Sequence, residues 1–195
     1  MRVSKETMER HHRDIVSTAA AMLRERGVQG LSVADVMQAA GLTHGGFYRH
    51  FASKDALVAE ATRAAFSQIL DRLEKSAARK GAAKALEEYV SVYLTPEHLE
   101  RPARGCPIAA FGADVAREGA EVRGAFCSGV DRLVDWIAAG LTGPETERTE
   151  TAIELLSLMV GAMVTARSAG DPALSKKILA RARRGSARLA GLSID

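Results

Sequence analysis

The chain has 195 residues, of which 47% are apolar and 26% are charged, and its formal net charge is +3 at pH 7. This composition is that of an ordinary globular protein able to bury a core. It excludes a membrane-spanning class, because no run approaches the ~18 apolar residues of a membrane helix. The N-terminal run MRVSKETMERHHRDIV lacks the apolar stretch and cleavage site of a secretory signal. We therefore expect a cytoplasmic protein with no membrane partner.

The small net charge is unevenly distributed along the chain. The first 54 residues carry eight Lys/Arg and five Asp/Glu, and this excess accounts for the whole net charge of +3. Four of the five histidines also lie in this part. A mildly basic N-terminal quarter favours an anionic partner, although an excess of this size is also common on solvated faces.

Helix is the expected main element, since only five prolines interrupt a sequence rich in Ala, Leu, Arg and Glu. Apolar residues recur at helical spacing over residues 7–26, and Gly27 is a suitable stop. A second apolar stripe covers residues 33–40. Ser32 precedes it, and together with Asp35 it resembles a capping box in which Asp replaces the usual Glu.

The segment GLTHGGFYRHF follows, and it combines a glycine pair with aromatic residues at helical spacing. Gly41 breaks the second helix, and Thr43 can cap a third helix that runs to about residue 50. Phe47 and Phe51 are expected to be buried and to brace this helix. Two short helices joined by a glycine turn form a helix-turn-helix pattern.

The rest of the chain is predicted to be helical as well. Ser53 caps a fourth helix to about residue 79, and no Pro/Gly-rich linker precedes it, so this helix is expected to be a rigid connection. Five further helices are predicted at residues 82–95, 105–117, 119–141, 145–169 and 172–190. The fold class is therefore all-α with about nine helices.

A helix-turn-helix places the N-terminal residues of its second helix near base edges in the DNA major groove. Thr43 and His44 occupy that position and can hydrogen-bond to bases or phosphates. The adjacent glycines have no side chain, so the backbone can approach a duplex closely. The alternative is an exposed helical hairpin that binds nothing. The candidate DNA-binding residues are Ser32, Thr43, His44, Gly45, Gly46, Tyr48, Arg49, His50 and Lys54.

Residues 15–61, with the central run RGVQGLSVADVMQAAGLTHGGFYRHFASKDALVAEA, resemble the tetracycline-repressor (TetR/AcrR) family of bacterial transcription regulators. In that family the residues that match Tyr48 and Lys54 contact phosphates, and those that match Thr43, His44 and Gly45 lie at the major groove. Gly46 replaces the Ser or Thr most often found at its position. A frequent contact is therefore missing, and the base preference of the family does not carry over.

The resemblance implies two domains and three partners. Residues 1–53 would form the helix-turn-helix DNA-binding domain, and residues 54–195 a helical domain for ligand binding and dimerisation. The partners would be double-stranded operator DNA, a small-molecule effector, and a second copy of the chain bound through the last two helices. The function implied is a ligand-responsive regulator, a repressor in most cases, that binds a palindromic operator as a homodimer.

Aromatic and sulfur-containing residues could line the ligand site, because adaptable apolar linings are usual there, although such residues are more often ordinary core. The candidates are Tyr89, Tyr93, Cys106, Phe111, Phe126, Trp136, Met159 and Met163. His98 is expected to be solvated in a loop between Pro96 and Pro102.

The segment RPARGCPIAAFGADVAREG resembles a subset of the same regulators that have Gly-Cys-Pro or Gly-Cys-Leu at the start of the sixth helix. A thiol at a helix N-terminus is more reactive than an ordinary thiol. Cys106 could therefore sense oxidants or electrophiles, which is the alternative function; a small buried residue is the other reading. Cys127 is expected to be core.

An enzyme is the competing class, but no catalytic or metal-binding motif is present. We expect no catalytic residues, no metal and no cofactor. A non-specific architectural DNA-binding protein would need a broader basic surface than the N-terminal quarter provides. The basic cluster of the last predicted helix (residues 176–188) could bind nucleic acid, but a solvated outer face is the simpler reading.

Overall fold

The computed structural model describes residues 4–192. Over these residues the chain contains nine α-helices, two short 3₁₀ helices and no β-strand. The predicted all-α class is confirmed. The α-helices are α1 (Lys5–Arg26), α2 (Val33–Ala39), α3 (Lys54–Lys80), α4 (Ala82–Tyr93), α5 (Pro96–Glu100), α6 (Pro107–Val115), α7 (Ala120–Ala139), α8 (Glu145–Ser168) and α9 (Pro172–Ala190). The 3₁₀ helices are His44–Arg49 and Pro102–Arg104.

The helices form two compact units. The first contains the residues up to Ser67 together with residues 106–129, and the second contains residues 68–105 together with those from Val130 onwards. Helices α3 and α7 contribute residues to both units. The functional domain boundary after residue 53 stays a prediction, and the first compact unit extends beyond it to part of α3, α6 and part of α7.

In the first unit, local sequence signals fix where α1 and α2 begin and end. Gly27 ends α1 with φ 71°, and its N–H bonds to the carbonyl of Leu23. Ser32 Oγ accepts the N–H of Asp35, which is one half of the expected capping box. The Asp35 carboxylate lies 3.7 Å from Arg26 Nη1 and forms an ion pair with it.

The end of α2 sets the direction of the chain into the next segment. Gly41 has φ 73°, a conformation that other residues adopt only with strain. Its N–H bonds to the carbonyl of Gln38, and the N–H of Leu42 bonds to the carbonyl of Met37. These two bonds form a Schellman motif, so the tight glycine turn of the predicted helix-turn-helix is present.

One helix was not predicted from the sequence. Thr95 caps α5, because its hydroxyl accepts the N–H of His98, and Pro96 occupies the first helical turn. His98 therefore lies on a helix and is half-buried, which differs from the prediction of a solvated loop residue. The run Thr95-Pro96-Glu97 is the sequence signal for this helix, because it combines a capping threonine with a proline in the first turn.

In the second unit, α8 packs along α9. Leu155, Met159 and Met163 are fully buried on α8. Among the described residues, α8 is also the one helix whose length and composition would allow it to cross a membrane. A single such helix is weak support for a membrane span, since core helices pass the same test.

Candidate nucleic-acid interface and small-molecule cavity

The third element of the helix-turn-helix is a 3₁₀ helix rather than the expected α-helix. It has six residues, two of them glycines, and the Thr43 side chain makes no capping bond to it. Forming the first turn of an α-helix is costly, and a stretch this short and this rich in glycine adds too few further hydrogen bonds to offset that cost. We call residues 43–50 the glycine-pair segment.

Two buried phenylalanines hold the glycine-pair segment in place. Phe47 is 1% exposed and Phe51 is 4% exposed, and their rings stack with centroids 5.5 Å apart. His12 of α1 stacks on Phe51 at 4.8 Å, and its Nε2 lies 2.6 Å from Glu60 Oε1 of α3. The His12–Glu60 bridge joins residues 48 positions apart, so no local sequence pattern predicts it.

The predicted DNA-binding side chains lie on the surface. Tyr48 is 74% exposed, although the neighbouring Phe47 ring contacts its edge. Gly46 and His50 are half-buried. The exposed members of the predicted set are Ser32, Thr43, His44, Gly45, Tyr48, Arg49 and Lys54. Five of these exposed residues belong to the glycine-pair segment, whereas Ser32 caps α2 and Lys54 begins α3.

The glycine pair is not required by packing within the chain. A Cβ atom added to Gly45 would meet nothing within 4 Å, and one added to Gly46 would make an ordinary contact with Met37 Cε at 3.5 Å. Neither glycine has a positive φ. Because glycine in a helical turn costs roughly 1 kcal/mol relative to alanine, the lack of an internal reason favours an external one.

His50 is the titratable residue at the C-terminal end of the segment. Burial lowers the pKa of His50, and the charges of His12, His11 and Arg49 lower it further. The imidazole is therefore neutral near pH 7 and can donate a hydrogen bond without carrying charge. The permanent positive charges of this surface come from Arg49 and Lys54.

The second unit contains a cavity of about 410 Å³, which is within the range of small-molecule sites. Its buried floor is formed by Ile69, Leu73, Ala85 and Tyr93. Helices α3, α4 and α5 and the 3₁₀ helix Pro102–Arg104 supply the lining. Of the predicted ligand residues, the cavity brings together Tyr89 and Tyr93, whose rings meet edge to face at 5.5 Å.

The other predicted ligand residues do not line this cavity. In the first unit, Cys106 is buried at the start of α6 and Phe111 is buried beside the half-buried Phe126. In the second unit, Trp136 packs edge to face against Tyr89 with centroids 5.6 Å apart. Met159 and Met163 are fully buried on α8. Cys127, expected in the core, is exposed, because it lies on the outer face of α7.

His98 also lines the cavity, although it was predicted to be a solvated loop residue. Its Nδ1–H donates to the carbonyl of Tyr93 at 2.7 Å, and its ring meets the Tyr93 ring at 4.5 Å. Burial lowers the pKa of His98, and the hydrogen bond to Tyr93 opposes this shift. Arg167 and Arg72 lower the pKa further. His98 is therefore neutral near pH 7.

The basic members of the cavity wall were missed as well. Arg72, Arg101 and Arg104 line the cavity and are exposed. The prediction of ligand residues from aromatic and sulfur-containing side chains does not include arginines, although two of these three lie close to Pro102 in the sequence. Among residues 4–192, no cluster of three or more His, Cys, Asp or Glu side chains could hold a metal ion.

Comparison with known proteins matches residues 15–61 to the bacterial regulatory proteins of the tetR family. Over 50 residues the chain is 42% identical to the HTH-type transcriptional repressor KstR2 of Mycobacterium tuberculosis. That stretch is 26% of this chain and 25% of KstR2, so the match spans about a quarter of the relative's length.

The fold is similar to several solved structures over nearly the whole chain. NemR of Escherichia coli in its reduced form has a TM-score of 0.75 at 18% identity, with 91% of this chain and 95% of NemR covered. A TetR transcriptional regulator from Legionella pneumophila has a TM-score of 0.77 at 17% identity, with 97% and 100% covered. A TetR-family regulator from Cytophaga hutchinsonii has a TM-score of 0.74 at 22% identity, with both chains fully covered. At these identities the likeness concerns the fold.

Proposed function

Through its N-terminal domain the chain belongs to the tetR family of bacterial regulatory proteins, and from this premise we propose that the protein is a transcriptional repressor released from DNA by a small molecule. The matched family and its relatives are transcriptional regulators and not enzymes. We further propose that the repressor acts in the cytoplasm on a palindromic operator.

The observation that carries this proposal is the surface of the glycine-pair segment. Phe47 and Phe51 are buried and anchor the backbone of the segment, while most side chains between and before them face solvent. Gly45 opens onto empty space and gives the backbone a point without a side chain. A surface that is anchored from below and bare at Gly45 is suited to close contact with a duplex.

We assign the two ends of the segment different roles. Thr43, His44 and Gly45 would lie at the base edges of the major groove, where the first residues of a recognition helix make base contacts. Tyr48, Arg49, His50 and Lys54 would contact phosphates, which supply affinity and register rather than sequence information. Gly46 adds no side chain to the groove. Ser32, which caps α2, is the one candidate that precedes the glycine-pair segment in sequence.

The operator-binding form would be a homodimer joined through α8 and α9. Large apolar side chains lie on the surface of both helices, and they include Ile153, Leu158, Val164, Leu174 and Leu189. Burying them against a second copy of the same helices would give a two-fold interface of the four-helix type. The two glycine-pair segments would then reach major grooves about 34–36 Å apart.

Release from DNA would follow from binding in the second unit. A ligand could bind more tightly to a conformation in which the two glycine-pair segments of the dimer have a different spacing. Operator affinity would then fall by an amount set by the difference in ligand affinity between the two conformations. Helix α3 carries residues of both units, and we propose that it transmits the movement. The cavity lined by Tyr89 and Tyr93 is the candidate effector site.

The proposal is tested by DNA binding of the full chain. Selection from a random duplex pool gives the operator, and affinity is then measured at several salt concentrations. Lys54→Met is expected to weaken operator binding and to reduce the slope of log affinity against log salt by about one. Tyr48→Phe is expected to weaken it by about tenfold, because a hydrogen bond to a charged phosphate is lost.

Lys75→Met is the matched control for Lys54→Met, since Lys75 is exposed on the part of α3 that belongs to the second unit. It should leave both the affinity and the salt slope unchanged. The docking assignment is wrong if Tyr48→Phe and Lys54→Met behave like this control.

A second candidate function is thiol sensing, and the position of Cys106 favours it. Cys106 immediately precedes α6, where the helix N-terminus stabilises a thiolate. Its exposure is only 1%, so an oxidant would need a transient opening to reach it. Cys106→Ser should abolish release by oxidants or electrophiles, while Cys127→Ser, at an exposed thiol, should not. If neither variant changes release, the protein does not sense through a thiol.

A further inference from the structure

We infer that the cavity of the second unit binds an organic anion with an apolar body, such as a medium-chain carboxylate. The inference rests on the proposed function only in treating the occupant as the effector; binding itself is a property of the cavity. Three features carry it: an apolar floor, a rim that holds three arginines, and acidic residues that do not balance them.

The floor requires a ligand with an apolar part. Ile69 and Leu73 of α3 and Ala85 of α4 are at most 9% exposed, and together they present aliphatic surface to the cavity. Tyr89 and Tyr93 add aromatic faces. Removing an alkyl chain or ring from water against such a surface is favourable by roughly 25 cal/mol per Å² buried, whereas a small inorganic anion would gain nothing there.

The rim favours a negative headgroup. Arg72, Arg101 and Arg104 all line the cavity, and none of them takes part in an ion pair among residues 4–192. Several arginines around one cavity therefore present positive charge that a ligand carboxylate can neutralise.

The position of Arg72 is fixed by the backbone. Its Nε donates to the carbonyl of Gln68 at 3.1 Å, and its Nη2 donates to the carbonyl of Arg104 at 3.3 Å. These bonds use two of the five N–H donors of a guanidinium. The second bond also links α3 to the backbone of the 3₁₀ helix that carries Arg104.

The two acidic residues of the lining do not cancel this charge. Both Glu88 carboxylate oxygens lie within 2.8 Å of Lys80 Nζ, and Ser76 donates to one of them. The bonds from Lys80 and Ser76 lower the pKa of Glu88, so this carboxylate is ionised and already has a cationic partner. Glu97 is the other acid, and three arginines outnumber it.

His98 also lines the cavity, and it packs against Gly105. A Cβ atom added to Gly105 would lie 2.9 Å from His98 Nε2, so the imidazole lies directly against the glycine backbone. Because the imidazole is neutral near pH 7, the positive charge of the cavity wall comes from the arginines. The headgroup is therefore expected at the arginine rim, with the apolar body on the floor.

The test measures binding of four probes to the purified full chain by calorimetry: octanoate, octan-1-ol, octylammonium and octyl phosphate. They share one alkyl chain and differ in headgroup. Octanoate or octyl phosphate should bind at least about tenfold more tightly than octan-1-ol, because charge-assisted hydrogen bonds form. Whichever anion binds more tightly identifies the headgroup as carboxylate or phosphate.

The location is tested with the double variant Arg101→Met/Arg104→Met. It should lose about tenfold or more of the anion affinity and leave octan-1-ol binding unchanged. Arg123→Met, at an exposed arginine of the first unit, is the control and should change neither. Equal binding of octan-1-ol and the anions, tighter binding of octylammonium, or full anion binding by the double variant would each overturn the inference.

The same protein, assayed on the operator obtained by selection, separates the two proposals. An operator without anion binding refutes the ligand assignment and leaves the regulator assignment standing. Anion binding without any selected operator refutes the regulator assignment alone.

Discussion

The glycine-pair segment and the cavity of the second unit are assembled in opposite ways. The segment is continuous in sequence, and two neighbouring phenylalanines anchor it. The cavity collects side chains from three helices and a 3₁₀ turn spread over residues 69–105. The segment is thus a local structure with a fixed surface, whereas the cavity exists only through tertiary packing.

Because of this difference, we expect substitutions in the two regions to affect stability and binding in different ways. In the segment, the buried Phe47 is followed directly by the exposed Tyr48, so stability and binding can be changed independently at adjacent positions. In the cavity wall, α3 supplies both a buried lining residue, Leu73, and an exposed one, Arg72. Substitution of a buried lining residue should therefore lower stability as well as change binding. Only substitutions at the exposed rim should change binding and leave stability largely preserved.

The largest effect on stability is predicted for Phe47→Ala. Phe47 is fully buried, so truncation should lower the free energy of unfolding by about 3–5 kcal/mol. Tyr48→Ala, one residue later and 74% exposed, should lower it by less than about 0.5 kcal/mol. Urea denaturation followed by circular dichroism measures both. Similar losses for the two variants would show that the segment is not anchored on one side only.

The next effect concerns assembly and contrasts the second unit with the segment. Leu174→Glu places a charge on the surface of α9, where Leu174 is 46% exposed, and should convert a dimer into a monomer. Operator affinity should fall with it, because two half-sites are no longer held by one molecule. Sedimentation velocity detects the change in mass. Ala83→Glu, at an exposed position of α4, is the control and should remain dimeric.

A dimeric Leu174→Glu variant would mean that this part of α9 lies outside the interface between subunits. The exposed apolar residues of α8 and α9 would then need another occupant.

The smallest effect is a pH dependence that comes from His98. The pKa of His98 is lowered in the folded protein, so between about pH 6.5 and that lower value the unfolded chain binds a proton that the folded chain does not. The free energy of unfolding should therefore fall as the pH drops below about 6.5. His98→Gln should remove this part of the decline, and denaturation at pH 7.5 and pH 5.5 compares the two proteins. An unchanged decline would show that His98 is not the group responsible.

Much of the first unit could be predicted from the sequence because its signals are local. Ser32, Gly41 and the phenylalanine pair act within a few residues, and each has the role that its position predicted. The exception is the 3₁₀ form of the segment. Periodicity shows that a helical turn is present, but it does not reveal that two glycines and a missing cap favour the tighter helix.

The cavity could not be predicted in the same way. Tyr89 and Tyr93 were selected because they are aromatic, and the same criterion selected Phe111, which is core of the first unit. Whether an aromatic residue lines a cavity or packs in a core depends on which helices meet, and that is decided by contacts between distant residues. Arg72 shows the same limit, since its bond to Arg104 joins residues 32 positions apart.

The most direct test of the claim that the glycine-pair segment docks on DNA is the operator affinity of Gly45→Leu beside that of Gly124→Leu. Both glycines are exposed, and a Cβ atom at either would meet nothing within 4 Å, so neither variant should be destabilised. We predict that Gly45→Leu binds the operator at least about tenfold more weakly, because the new side chain occupies the space of the duplex, while Gly124→Leu on α7 binds like the unmodified protein. Equal operator affinity of both variants and the unmodified protein would contradict the account.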